Sequence, residues 1–305
     1  MKQRNTFSYA KYGYLFSIPF IVVFCIFNLY PTIYTAILGF TDCKGLGNTD
    51  WNFLVDDPFK NFAQILKNPS FITSVKNTFK IWIMNFIPQI SLALLLTAWF
   101  TSRRNVLKGQ GFFKVVFYMP NIITAASIAI LFNALFGYPM GPVNDFLVSS
   151  GLRDGPFAFI DSKLASQCIV AFIQFWQWYG YTMIILISGV LGINPEIYEA
   201  AEIDGANDIQ MFFQVTIPNL KTILLYTLIT SLIGGLTMYD IPRLFNDGKP
   251  DNSTLTAAMF IHNQAFKGSY MYNRAAAASL LIFLVVAVCS AVVFFLMRDK
   301  KGERR

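Results

Sequence analysis

Residues Ala275 to Met297 read AAAASLLIFLVVAVCSAVVFFLM, twenty-three positions without a charge between Arg274 and Arg298. A helix of that length crosses about 30 Å of hydrocarbon, and a charge at mid-membrane costs about 2.5 kcal/mol or more. Working outward, uncharged windows recur at Tyr12 to Thr41, Ile81 to Ser102, Val115 to Asn144, Leu164 to Pro195 and Thr222 to Tyr239. The expectation is an all-α membrane protein with six transmembrane helices, at about 14–40, 80–101, 113–137, 165–192, 217–238 and 275–297. One such window would suit a buried helix of a soluble protein, but six separated by polar loops do not.

Composition agrees. The 305 residues are 55% hydrophobic and 13% charged, against about 25% charged in soluble domains. The net charge of +7 raises nucleic acid as a partner, yet no basic helix or aromatic-basic RNA motif is present. Topology accounts for the excess better. With the N-terminus inside, the cytoplasmic stretches hold Lys2, Arg4, Lys11, Arg103, Arg104, Lys108, Lys114, Lys221, Arg298, Lys300, Lys301, Arg304 and Arg305, thirteen of the twenty-four basic residues. The rest are spread over longer outside loops, as the positive-inside rule asks, so both termini are expected in the cytoplasm. Lys2, Arg4 and Lys11 could open a secretory signal, but the apolar run continues past Asn28 and Pro31 without a cleavage site, and reads as an uncleaved first helix.

Several chemistries find no support. The four cysteines, Cys25, Cys43, Cys168 and Cys289, form no disulfide framework or zinc spacing, and His262 is the only histidine. Asp247-Gly248-Lys249-Pro250 lacks the leading Gly and the Ser or Thr of a phosphate-binding loop. No catalytic residue, metal site or cofactor site is expected. The loops at Asp42 to Lys80, Gly137 to Lys163 and Asp240 to Arg274 are long and expected outside; Gly45-Leu46-Gly47-Asn48 marks a turn.

One inside loop breaks the charge rule. Between Gly192 and Pro218 there is no Lys or Arg but five acids, Glu196, Glu199, Glu202, Asp204 and Asp208. Asn194 and Pro195 start a short helix, Gly205 ends it, and another can begin after Asn207. Ile197, Ala200 and Ala201 share one face, as do Ile209, Phe212 and Phe213. An interfacial helix would present a basic face to anionic lipid, and calcium binding uses a different carboxylate spacing. A protein-docking helix-turn-helix fits best.

Glu199, Ala200, Ala201, Gly205 and Pro218 also match, in register, the Glu-Ala-Ala-x-x-x-Gly-x9-Ile-x-Leu-Pro loop (the EAA motif) of ATP-binding-cassette importers, with Val215 and Ile217 at its Ile and Leu. Pro31 to Asp42, Asn77-Thr78, Tyr118-Met119-Pro120 and Gly141 to Leu147 resemble further segments of the larger-type permease subunit of carbohydrate importers, the maltose, multiple-sugar and glycerol-3-phosphate group. Where that family has Thr-x-Gly-Gly-Pro, this chain has Asn246-Asp247-Gly248-Lys249-Pro250, with Thr254 and Thr256 following. The resemblance implies the type I importer permease fold, a single transmembrane domain over 1–305 with an ATPase-coupling loop at 194–218, in a multi-pass bacterial cell membrane protein. It implies a second homologous permease, two ATPase subunits that bind the ATP and magnesium, an extracytoplasmic binding protein and a sugar cargo crossing the lipid bilayer. Glu199, Ala200, Ala201, Asp204, Gly205, Phe212, Phe213 and Pro218 would then be the ATPase-coupling residues.

Polar groups within a bundle are candidates for a substrate pathway: Asn85, Gln89, Asn133, Gln174, Gln177, Trp178 and Tyr181. Amides with aromatic faces suit a sugar, but amides also join helices and Trp and Tyr also mark the membrane interface. The cargo could instead be glycerol-3-phosphate or a polyol, although phosphate would favour a cation on the pathway. A stand-alone secondary transporter or membrane enzyme would need a carboxylate or histidine within the helices, and the six windows hold none.

Overall fold

The computed structural model describes residues 10–47, 50–102, 108–268 and 270–297. The basic residues Lys2, Arg4, Arg103, Arg104, Arg298, Lys300, Lys301, Arg304 and Arg305, and Asn48 of the first turn, lie outside the described residues. The described chain is helical and has no strand, only an isolated bridge between Thr41 and Phe53. In order the helices are α1 (Ala10–Phe24), α2 (Tyr30–Leu38), α3 (Lys60–Leu66), α4 (Pro69–Phe100), α5 (Gln110–Ile122), α6 (Ala125–Leu135), α7 (Pro142–Ser149) and α8 (Lys163–Leu191). They continue with α9 (Pro195–Ile203), α10 (Asp208–Gln210), α11 (Ile217–Asn219), α12 (Lys221–Leu236), α13 (Asp240–Asn246), α14 (Ala257–Phe266) and α15 (Tyr272–Met297).

Five segments are long and apolar enough to cross a membrane: Tyr12–Leu38, Pro69–Phe100, Lys163–Leu191, Lys221–Asn246 and Tyr272–Met297. The helix expected at 113–137 is different. It is broken into α5 and α6, which meet at 88°. Pro120 removes one helical N–H near the break, Ile123 turns extended, and Thr124 accepts from Ser127 N at 3.2 Å to cap α6 afresh. The Ile123 carbonyl freed by the break is taken by Gln177 Nε2 of α8 at 3.2 Å, while Asn121 Nδ2 donates to the Gln177 carbonyl at 3.3 Å. In low dielectric such replacement partners are what makes a broken helix tolerable.

Other boundaries shift for local reasons. The helix expected from 80 begins at Pro69, because Asn68 accepts from Ser70 N at 2.9 Å and Pro69 stands in the first turn. About three turns of the expected outside loop are therefore helix, and Lys80 is held by Gln167 at 2.6 Å. The first span passes through a π-helical turn at Cys25–Leu29 just before Pro31, where proline cannot donate its helical bond. The last helix starts at Tyr272 rather than 275 and so takes in Arg274.

Contacts group the chain into two compact units. The first, Met1–Leu66 with Ile261–Leu281, is tied by buried asparagines. Asn61 Nδ2 donates to the carbonyls of Gly39 and Thr41 at 2.9 and 2.8 Å, and Asn273 Nδ2 donates to Asn61 Oδ1 at 3.1 Å.

The second unit, Lys67–Phe260 with Ile282–Arg305, is built on the packing of α4 against α8. Ile81, Ile128, Phe132, Ile173, Ile241 and Phe245 fill one end of its core, and Ala93, Phe100, Met183 and Leu186 the other. The segment after α13 is stapled to α4: Asn77 Nδ2 donates to the Asn252 and Leu255 carbonyls at 2.6 and 3.2 Å, and Thr78 Oγ1 accepts from Ala257 N at 2.9 Å. Thr254 and Thr256 close the turn by donating to Asn246 Oδ1 and the Met238 carbonyl. Outward apolar surface remains large, as a chain solvated by lipid requires: none of the apolar window of Tyr12–Leu38 is buried.

Asn144, only 1% exposed, locks the loop after α6. It donates to the Gly137 and Phe157 carbonyls at 3.0 and 3.1 Å and accepts from Phe157 N at 2.8 Å. Asn144→Ala removes three hydrogen bonds and leaves the Phe157 N–H unpaired, while the Gly137 and Phe157 carbonyls keep Gly141 N and Phe159 N, and is expected to cost about 2 kcal/mol. Thermal unfolding of the purified protein should then fall by several degrees, whereas exposed Asn219→Ala should leave the midpoint nearly unchanged.

Candidate functional site

The acidic island folds as its caps dictate. Asn194 Oδ1 accepts from Glu196 N at 3.1 Å and Pro195 occupies the first turn of α9. The helix ends where Gly205 takes φ +80, a left-handed backbone that side chains disfavour. Gly205 N donates to the Glu202 carbonyl and Ala206 N to the Ala201 carbonyl, both at 3.0 Å, the paired bonds of a Schellman ending. Asn207 and Gln210 then satisfy each other's backbone N–H groups at 2.9 Å in a reciprocal cap. From there the backbone runs through α10, a π-helical stretch at Met211–Thr216, and α11.

The motif residues sit on the outer side of this element. Glu199, Ala200, Asp204, Gly205, Phe213 and Pro218 are exposed, and Ala201 and Phe212 are half-buried. Ile197 and Ile209, expected to share the apolar faces, are 40% and 71% exposed. What α9 buries instead is Tyr198, which packs with Val190 of α8 and Leu220. A groove of about 880 Å³ runs beside the island, with Trp99, Leu191, Phe212 and Phe213 in its wall and Glu202 and Asp208 at its edge.

A second cavity, about 450 Å³, lies deeper among α4, α8 and α12; ligand pockets run from about 300 to 1,000 Å³. Six of the seven expected pathway residues, Asn85, Gln89, Gln174, Gln177, Trp178 and Tyr181, line it. Asn133 does not: its Nδ2 is spent on the Phe245 carbonyl at 2.5 Å, joining α6 to α13. Gln89 Nε2 donates to Thr182 Oγ1 at 2.8 Å, Asn85 Nδ2 to the Ile81 carbonyl at 3.2 Å, and the rings of Trp178 and Tyr181 meet edge-to-face at 5.6 Å.

The opposite wall comes from α12: Tyr226, Thr227, Thr230 and Ser231. They recur at i, i+1, i+4 and i+5, a polar stripe visible in the sequence once the helix is drawn but hidden there by the surrounding leucines and isoleucines. Thr227 Oγ1 is buried without a hydrogen-bond partner. Trp82 of α4 is also in the wall, its Nε1 donating to Ser231 at 3.2 Å. Asp240 is the one charged residue lining this cavity among the described residues.

The model of the binding-protein-dependent transport system inner membrane component family matches residues 14–298. A lactose transport system permease of Rhizobium radiobacter is 30% identical over 96% of both chains. An arabinooligosaccharides transport system permease of Bacillus subtilis is 28% identical over 95% of this chain and 90% of that one, and a multiple sugar-binding transport system permease of Streptococcus mutans 26% over 92% and 93%. A solved bacterial importer of the acidic polysaccharide alginate contains a chain of the same fold, with TM-score 0.77 and 22% identity over 95% of this chain and 96% of that one. The chain belongs to the binding-protein-dependent transport system inner membrane component family.

Proposed function

We propose that this permease forms, with a second related permease, the pore of an ATP-driven importer for a neutral sugar or short oligosaccharide. The observation that carries the reading is the pairing, in one compact unit, of an outward-facing acidic island with a deeper cavity of amides, hydroxyls and aromatic rings. The printed activities of the sugar permeases similar to it support the cargo class. The solute would be delivered by a binding protein from the outer side; a solved alginate importer complexed with a substrate-bound periplasmic protein has the same fold.

The island would lie on the cytoplasmic side with both termini, as the basic excess on that side supports. There it would enter a groove on one of two ATPase subunits, which bind the ATP and magnesium. Glu199 and Asp204 supply negative charge for basic groups on that partner, Ala200 and Ala201 allow close approach, and Phe212, Phe213 and Pro218 extend the contact. Closure of the ATPases on ATP would move α9, and through it α8 and α12, reopening the cavity to the other side.

In the cavity, the ring faces of Trp178 and Tyr181 would stack on sugar while Gln174 and Gln177 direct hydrogen bonds to hydroxyls. Gln177 serves the helix break as well, so its amide is oriented before solute arrives. Asp240 argues against glycerol-3-phosphate, since a lone carboxylate repels a phosphate.

Gly205→Leu forces a side chain into the left-handed region, at a cost of about 1–2 kcal/mol. The variant should insert normally and still hydrolyse ATP, yet lose most of its uptake in proteoliposomes; normal uptake would contradict the coupling role. For the cargo, the reconstituted complex should take up lactose or an arabino-oligosaccharide and not glycerol-3-phosphate, and Trp178→Ala should cut saccharide uptake about tenfold, the value of roughly one lost ring contact. Uptake of glycerol-3-phosphate alone would overturn the sugar reading.

A further inference from the structure

Tyr198 stands apart from the motif residues around it. It is the only buried residue of α9, 8% exposed on a helix whose other positions face outward or lie half-buried. Its ring inserts between the end of α8, at Val190, and the start of α12, at Leu220, with Ile193, Met211 and Val215 around it. Its hydroxyl lies 3.2 Å from Thr216 Oγ1. Thr216 is itself 4% exposed, and its hydroxyl also lies within donating distance, 3.2 Å, of the Met211 carbonyl. The Met211 carbonyl and Thr216 bracket the π-helical stretch, Met211–Thr216, that leads into α11 and α12. A π turn is an intrinsically poor helical arrangement that persists where something holds it. Here a hydroxyl chain does so, and the chain begins on the docking helix.

We infer that Tyr198 and Thr216 form the joint through which α9 moves the membrane helices: the ring transmits the push to α8 and α12, and the hydroxyl chain keeps the π turn from slipping when it does. Gly189 helps, since a side chain there would meet Ile223 and Leu220, and its absence leaves them free to lie across α8. Tyr198 is thus a positioning residue: it is absent from the wall of the deeper cavity, and although its edge lines the groove beside the island, it is not one of the exposed motif residues. The inference rests on the island docking an ATPase.

A joint and a mere structural contact differ in one readout, the solute transported per ATP hydrolysed. In proteoliposomes containing the full complex, with lactose or an arabino-oligosaccharide as probe, Tyr198→Phe keeps the ring and loses the hydroxyl, and Thr216→Val removes the hydroxyl it pairs with. Each should lower transport per ATP roughly fivefold, the factor one buried hydroxyl pair carries, with thermal unfolding and ATPase co-purification close to wild type. The double variant should be no worse than either single one, and Thr216→Ser, which retains the hydroxyl, should restore the ratio. An unchanged ratio in both single variants, or fully additive losses, would overturn the joint while leaving docking intact. An ATPase that co-purifies equally when residues 195–210 are replaced by a Gly-Ser linker would overturn docking itself, and the joint with it.

Discussion

Backbone polar groups in hydrocarbon must be paired inside the protein, and the arrangement of this permease follows from that constraint. Breaking the third span at Ile123 frees a carbonyl; Gln177 takes it. The amide that lines the cavity is therefore fixed by the fold. The same holds for Gln89, tied to Thr182, and for Asn85, tied to its own helix. The amides that join the helices and those that line the cavity are largely the same residues, so the cavity is walled by side chains already held in place.

The acidic island meets a different solvent. Its hydrogen-bonding needs are met locally by Asn194, the Gly205 ending and the Asn207–Gln210 reciprocal cap. The surface so presented is small, apolar and acidic, and Tyr198, the one buried residue of α9, packs it against Val190 of α8 and Leu220. Local caps give the element its shape, and tertiary packing gives it leverage.

Much of this was legible in the sequence, for reasons of range. The uncharged windows marked the spans because exclusion of charge is set by the solvent, residue by residue. Gly205, Asn194 and Asn207 marked the island because caps act within a few positions. The break at Ile123 and Thr124 was not legible: Pro120 alone permits a kinked but continuous helix, and what stabilises the gap is Gln177, over fifty residues away. The start of α4 at Pro69 was obscured by Lys76 and Lys80, which the first three turns of α4 carry and where Gln167 meets Lys80. Asn133 looked like a pathway residue because amide chemistry does not reveal its partner, here the Phe245 carbonyl. Tyr198 was passed over because the acids and alanines beside it carry the motif, while burial depends on α8 and Leu220.

The central claim is that the exposed face of α9 seats on an ATPase. It is tested most directly by Glu199→Cys in a complex purified from membranes, treated with a short thiol-to-amine cross-linker and resolved by mass spectrometry. One cross-link is expected, from position 199 to a lysine of the ATPase subunit, weakened when ATP changes the separation of the two ATPases. Recovery of cross-links only to lipid or to the binding protein would contradict it.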